Sequence, residues 1–222
     1  MKTTPYSEYA RLDVLHDLQR PRTGESAELS FIVTTQVMEL LFGLLAHEWE
    51  QARTVLAEDD LDGALDVLRR GLHVQDVLVS SWDLLATMTP VEYARFRDEL
   101  GAASGMQSSV FHRLERLLGT AKGTEPSLYD EALALLARRG VEGEPLKAWR
   151  VVYESRPDLV RLAELLLDVA DRSNRWRQRH YTAVRRAMGA KPGTGGSAGL
   201  AWLKAALDRD AFPELWAVRG EL

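Results

Sequence analysis

Glu28–Leu56 reads ELSFIVTTQVMELLFGLLAHEWEQARTVL, and its apolar residues decide the fold class. Leu29, Ile32, Val33, Val37, Leu40, Leu41, Leu44 and Leu45 recur at three- and four-residue spacing, which is the period of a long amphipathic helix with one broad buried face. A second such helix is expected from Asp60 to Ala86, through Leu61, Leu65, Leu68, Leu72, Val77 and Leu84. Directly after it, Thr89-Pro90-Val91-Glu92 has the form of a helix start. Thr89 caps, Pro90 stands where its missing N–H costs nothing, and Glu92 completes a capping box. Gly101 suits the end of that helix.

Toward the C-terminus, helices are expected at Gln107–Leu118 (stopped by Gly119), Leu128–Arg138 (stopped by Gly140) and Leu146–Glu154. Ser155 with Asp158 reads as another capping box, opening a long helix that ends at Gly189. The Gly-rich stretch Lys191–Gly199 separates it from a short last helix. Period-two alternation bounded by hairpin turns is missing, so the class is all-α: a helical bundle of three long helices and several short ones. Residues 1–25 hold two prolines and few apolar positions and read as an N-terminal arm, with residues 26–222 as one domain.

The 222 residues are 45% apolar and 27% charged, ordinary globular values that exclude global disorder. A chain of this size buries roughly 70% of its unfolded surface, enough for a core and an internal cavity. Cysteine is absent. That excludes a disulfide scaffold, Cys-ligated zinc, iron–sulfur clusters and thiol catalysis, and it fits a reducing compartment. No run of about 18 apolar residues suggests a membrane span. Residues 1–15 lack an apolar signal core, so a cytoplasmic location is expected. The formal charge of −5 argues against a general nucleic-acid binder, yet it is uneven. Residues 172–207 hold eight Arg or Lys and no Asp or Glu, which leaves −13 on the remainder.

None of the five histidines forms an i, i+4 pair. His47-Glu48 begins like a zinc-protease motif, but Gln51 stands in place of the second His, so a zinc hydrolase is rejected. His180 lies in Arg175-Trp176-Arg177-Gln178-Arg179-His180, with Trp176 and Val184 one turn away on the same face. A lone imidazole among apolar and aromatic residues can serve as an axial haem ligand, and neighbouring arginines can pair with propionates. The same segment also reads as a solvated basic face, or one that binds nucleic-acid phosphates. Gly193-Thr194-Gly195-Gly196-Ser197-Ala198 matches G-x-G-x-x-A, but a helix precedes it where a dinucleotide fold needs a strand. The P-loop pattern fails because glycine stands where its lysine is required. A glycine-rich backbone at a helix start can close over an anionic or zwitterionic molecule, or serve as a plain linker. Tyr93 and Arg97, four apart, form either a bidentate carboxylate clamp or part of a charged surface with Arg95 and Asp98.

Seven pieces, in order, carry a resemblance: YSEYARLDVL (Tyr6–Leu15), SFIVTTQVMELLFGLLAHE (Ser30–Glu48), WDLLATMTP (Trp82–Pro90), EYARFRDELGAASGMQS (Glu92–Ser108), RWRQRH (Arg175–His180), KPGTGGSAG (Lys191–Gly199) and FPELW (Phe212–Trp216). Together they resemble the tryptophan 2,3-dioxygenases, all-α haem enzymes that open the indole ring of L-tryptophan to N-formylkynurenine. The resemblance implies haem b and dioxygen, with His180 as proximal ligand to the iron and Trp82 beside the haem. It implies that Arg97 holds the substrate carboxylate with Tyr93 in support, that Thr194 meets the ammonium and carboxylate, and that Phe31 lines the indole pocket. Tyr6 and Tyr9 would complete the pocket of a neighbouring subunit in a homo-oligomer, a tetramer or a dimer.

Two departures stand out. Thr35 occupies the distal position where these enzymes carry a His, and a threonine is no base near neutral pH, offering only a weak hydroxyl hydrogen bond to an indole N–H. Indoleamine dioxygenases resemble this arrangement, with a Ser there. The region between Gly119 and Leu159 is also short for the family. The leading expectation is ring cleavage of L-tryptophan or a close derivative, with the protein supplying position and the haem the oxygen chemistry. A haem monooxygenase or hydroxylase of an aromatic amino acid is the alternative. A non-enzymatic adaptor binding RNA or an acidic partner through the basic segment is a third reading; neither a nucleic acid nor a membrane is an expected partner of the oxygenase.

Overall fold

The computed structural model describes residues 4–196 and 198–222. Two short helices, α1 (Pro5–Tyr9) and α2 (Leu12–Asp17), bury no residue of their own. They lead into α3 (Ser26–Ala57), α4 (Leu61–Ala86), α5 (Pro90–Phe96), α6 (Ser109–Leu117), α7 (Leu128–Arg138), α8 (Pro145–Ser155), α9 (Pro157–Met188), α10 (Leu200–Leu207) and α11 (Pro213–Ala217). No strand occurs among the described residues. The three long helices form the frame: α4 packs between α3 and α9, α6 and α7 lean on α3, and α8, α10 and α11 pack on α9.

Local chemistry sets most of the boundaries. Asp60 caps α4 by accepting from Gly63 N–H at 3.0 Å. Thr89 and Glu92 form the expected reciprocal box, with Glu92 accepting from Thr89 N–H at 2.7 Å. Gly119 and Gly140 stop α6 and α7 with φ near +80°. The box expected from Ser155 and Asp158 does not form. Ser155 is the last residue of α8, its hydroxyl donates to Val151 C=O, and Pro157 opens α9 with Arg156 as the capping position. Asp158 pairs with Arg156 instead, at 2.9 Å. Gln107 belongs to a 3₁₀ turn, Gly105–Gln107, ahead of α6. The single short last helix expected after the Gly-rich loop is two helices, α10 and α11, separated at Phe212 by a left-handed φ of 57°.

The face of α3 also differs from expectation. Leu29, Val33, Leu40 and Leu44 are exposed, while Met38, Phe42, Leu45, Trp49, Ala52 and Leu56 form the buried stripe. The first half of α3 is apolar on nearly every side, so periodicity alone leaves the choice of inner face open. For the same reason α3 is long and apolar enough to cross a membrane by length and composition, with mean hydropathy 1.8 over 18 residues. Here it packs along α4, α6 and α7. Fully buried Leu56, Leu65, Leu68, Trp149 and Leu166 mark the core, each contributing roughly 1.5–3 kcal/mol or more of transfer free energy.

Two polar networks fasten the periphery. Trp149 Nε1–H donates to Tyr129 Oη at 2.9 Å, and Tyr129 O–H donates to Glu214 at 2.9 Å. This ties α7, α8 and α11 together; burial and the Glu214 carboxylate raise the Tyr129 phenol well above its usual range. At the other end, buried Glu28 accepts from Arg22 N–H, Thr23 N–H and the Thr23 hydroxyl at 2.6–2.8 Å. Burial pushes its carboxyl up, but these hydrogen bonds outweigh it and hold the group below the usual carboxylate value.

Candidate functional site

His180 lies on α9, with Trp82 of α4 beside it. The two rings stack with centroids 4.6 Å apart and an interplanar angle of 13°. Trp176, one turn earlier on α9, sits 5.4 Å from His180 and 5.5 Å from Trp82. Phe42 and Phe111 pack against Trp176 at 5.4 and 5.3 Å. Burial alone pushes the His180 imidazole down to about 4, so the ring is neutral near pH 7 and its lone pair is free. The indole N–H groups of Trp82 and Trp176 are buried without a partner among the described residues.

This aromatic cluster forms one wall of a cavity of about 270 Å³. Phe31, Thr35, Trp82, Tyr93, Thr194 and His180 all line it, so the fold gathers six of the expected site residues from five separate segments. Phe31 packs on Phe96 at 5.5 Å and faces Tyr93 at 6.3 Å. The Thr35 hydroxyl donates to Phe31 C=O at 2.9 Å, which leaves its oxygen lone pairs free to accept. Thr35 is also exposed, because the cavity opens to solvent past it.

Arg97 does not itself line the cavity. Its Nη2 donates to Pro192 C=O at 2.8 Å, holding the Gly-rich loop, and its Nε is buried without a partner among the described residues. Burial raises the Tyr93 phenol, while hydrogen bonding to Arg97 and its charge oppose that rise. The reading as charged surface holds for Arg95 and Asp98, both exposed, with Arg95 pairing to Glu25 at 2.8 Å, and not for Arg97. The loop is pinched where it begins and ends. Gly199 has φ +57°, and a Cβ there would come within 3.1 Å of Lys191 O and 3.2 Å of Gly193 N. Thr194–Gly196 makes a 3₁₀ turn between these ends; Ser197 lies outside the described residues.

Tyr6 and Tyr9 do not reach the cavity of their own chain, being 73% and 91% exposed. Three of the eight basic residues in 172–207 are neutralised within the chain: Arg172 pairs with Asp76, Arg175 with Asp171 and Arg179 with Asp83 at 2.6–3.0 Å. Arg177 is buried and donates to Arg209 C=O at 3.0 Å. Half of the apparent anion-binding face is therefore engaged intramolecularly. Sequence reasoning missed the lining residues Met38, Met88, Met106, Met188 and Trp202. For Met38 and Met188 the signal was present as helical spacing, seven residues from Phe31 and eight from His180.

The chain matches the family model described as tryptophan 2,3-dioxygenase over residues 1–132 and 136–222. The break at residues 133–135 falls inside α7, within the stretch that is short for the family. A tryptophan 2,3-dioxygenase of Bradyrhizobium diazoefficiens is 38% identical over 255 residues, covering 96% of this chain and 91% of that protein. One of Pseudomonas aeruginosa is 37% identical over 257 residues, covering 98% and 89%. One of Caulobacter vibrioides is 37% identical over 257 residues, covering 98% of each.

Proposed function

This chain belongs to the tryptophan 2,3-dioxygenase family, and from that premise we propose that it binds haem b through His180 and opens the indole ring of L-tryptophan with dioxygen. The C2–C3 bond of the indole breaks and both oxygen atoms enter the product, N-formylkynurenine. The observation that carries this reading is the half-buried His180 imidazole, stacked on Trp82 and set in the wall of the cavity that Phe31, Thr35, Tyr93 and Thr194 also line.

The residues suit a haem. His180, a neutral imidazole held by the stacked Trp82 indole, would supply the nitrogen donor that holds the haem iron. The surrounding wall of Phe42, Trp82, Phe111 and Trp176 is the apolar surface such a macrocycle buries. When bound, haem supplies the activation of dioxygen.

The protein's own share is positioning. Arg97, with an uncommitted buried Nε, can pair with the substrate carboxylate, and Tyr93, one helical turn earlier in the chain, would support it. Thr194 lines the cavity on the loop that Arg97 grips through Pro192, and would meet the ammonium and carboxylate of the substrate. Phe31 presents a ring face to the indole. Thr35 accepts the indole N–H through its free lone pair and removes no proton at neutral pH, so orientation rather than base catalysis is its contribution.

We further propose a homo-oligomer. Leu29, Val33, Leu40 and Leu44 form an exposed apolar stripe along α3, which a second copy would cover, and Tyr6 and Tyr9 are free to close a neighbouring cavity. Sedimentation equilibrium tests this, a monomer at micromolar concentration overturning it. We place the reaction in the cytoplasm, which the cysteine-free composition fits.

The central test is the protein purified with haem supplied, then given L-tryptophan and ¹⁸O₂. A Soret band lost in His180→Ala and a product carrying two labelled atoms are expected. One labelled atom would convert the reading to a hydroxylase, and no retained haem would overturn the oxygenase.

A further inference from the structure

Gln75 is only 3% exposed, a primary amide buried where α4 packs on α9. Its Nε2 donates to Val169 C=O and to Ser173 Oγ, both at 3.0 Å. These acceptors lie on successive turns of α9, so one amide group grips that helix at two heights. Its oxygen, Oε1, is buried without a partner among the described residues. A buried, half-satisfied amide costs free energy that a methionine or leucine in its place would not. Stability therefore does not account for it.

The two helices run in the same direction: the pairs Asp62–Arg161, Asp76–Arg172 and Asp83–Arg179 climb both together. Leu61, Leu68, Gln75 and Trp82 stand at seven-residue spacing on α4, and Leu159, Leu166, Ser173 and His180 at the same spacing on α9. The Gln75–Ser173 hydrogen bond and the Trp82–His180 stack each join residues 98 apart, two successive steps of one ladder. The leucine steps accept other settings of one helix on the other, because apolar packing has no direction. The ion pairs are no more selective. Asp76 and Asp83 repeat at seven residues, as do Arg172 and Arg179, and pairs at the surface contribute little. The amide of Gln75 is selective. Displaced along α9 by a turn, it meets Val169 or Arg177 where Ser173 stood, and one donor stays buried and unpaired. A single buried polar residue of this kind fixes register in paired helices.

We infer that Gln75 is a positioning residue, which sets the axial and rotational register of α9 on α4 and so the face that His180, one heptad beyond Ser173, turns to Trp82 and the cavity. The register is a property of the chain alone, while its consequence for an iron ligand rests on the proposed haem reading.

The test is Gln75→Met, which keeps the length and volume of the side chain and removes its donors. It orphans nothing on α9, because Val169 C=O still accepts from the Ser173 hydroxyl at 2.9 Å. The chain has no cysteine, so His73→Cys and Thr182→Cys put spin labels on exposed positions of α4 and α9 alone. Double electron–electron resonance is measured on the full chain, purified with haem supplied and reduced under carbon monoxide. One narrow distance is expected with Gln75. In Gln75→Met the distribution is expected to double in width or to gain a second population displaced by about 5 Å, one helical turn. The melting temperature is expected to hold within a few degrees. In the ferrous protein without carbon monoxide, the iron–histidine stretching band in resonance Raman spectra is expected to broaden or split. An unchanged distance distribution would overturn the register role, whatever the band does. A changed distribution with an unchanged band would overturn the consequence for His180. A changed distribution with a melting temperature lowered by tens of degrees would overturn positioning in favour of a general structural role. Protein that takes up no haem would overturn the proposed haem reading, and the distances would still decide the register.

Discussion

The indole of Trp82 lies flat against the imidazole of His180, 4.6 Å between centroids and 13° from parallel. These residues are 98 positions apart and belong to different long helices, so the packing of α4 on α9 sets the orientation of the ring proposed to hold the iron. A stack of this kind restricts rotation of the imidazole without hydrogen-bonding it.

Trp82→Ala will leave the His180 side chain free to turn. Haem loss to an apomyoglobin acceptor is expected to quicken by at least tenfold, with a broadened Soret band. Phe at the same position is expected to restore most of the retention, since the face of the ring is what acts. Equal haem-loss rates in wild type and Trp82→Ala would show that the stack does not hold the ligand.

Arg97→Ala will raise KM for L-tryptophan and lower kcat/KM by an amount equivalent to roughly 2–4 kcal/mol, as expected when a charged hydrogen-bonding partner of a carboxylate is removed. Steady-state kinetics with L-tryptophan and with tryptamine separate the effects. Tryptamine lacks the carboxylate, so its kcat/KM should change far less. An unchanged kcat/KM for L-tryptophan removes Arg97 from the site.

Gly199→Ala will strain the neck of the Gly-rich loop. The residue has φ +57°, and the added Cβ would meet backbone atoms of Lys191 and Gly193 at 3.1–3.2 Å, which cannot swing aside as a side chain would. The melting temperature of the body is expected to hold within a few degrees, while KM for L-tryptophan rises several-fold. A Tm loss with unaltered KM would assign the loop a purely structural task.

Glu28 gives the arm junction a pH dependence. Its carboxyl ionises below the usual carboxylate value in the folded chain, so the unfolded chain takes up the proton first as the solution is acidified. The contribution is complete above about pH 4.5 and fades as pH falls through the folded value. Urea denaturation at a series of pH values should show a lower midpoint for Glu28→Gln at pH 7 and a shallower decline on the acid side. Parallel acid limbs would show that Glu28 carries no such linkage.

Much of this molecule was legible in local patterns. The capping box at Thr89 and Glu92, the stops at Gly119 and Gly140 and the extents of α3, α4 and α7 follow from propensity and hydrogen-bond chemistry within a few residues. Ser155 misled because two helices abut there, and Pro157 moved the start of α9 one residue beyond the expected cap. The proposed site residues came from ordered motif resemblance, with helical spacing supporting only the Tyr93–Arg97 pair and the surroundings of His180.

The sequence by itself determined that the chain is all-α, where most helices begin and end, and which residue types were available for a haem and an amino acid. Those properties arise from interactions a few residues long. Only the tertiary structure decided which stripe of α3 turns inward, that Arg172, Arg175 and Arg179 spend their charge on Asp76, Asp171 and Asp83, and that Arg97 holds Pro192. It also decided that four scattered methionines line one cavity. A helix apolar on nearly all sides has no preferred inner face until its neighbours pack on it, and a charged side chain has no partner until distant segments are brought within a few ångströms.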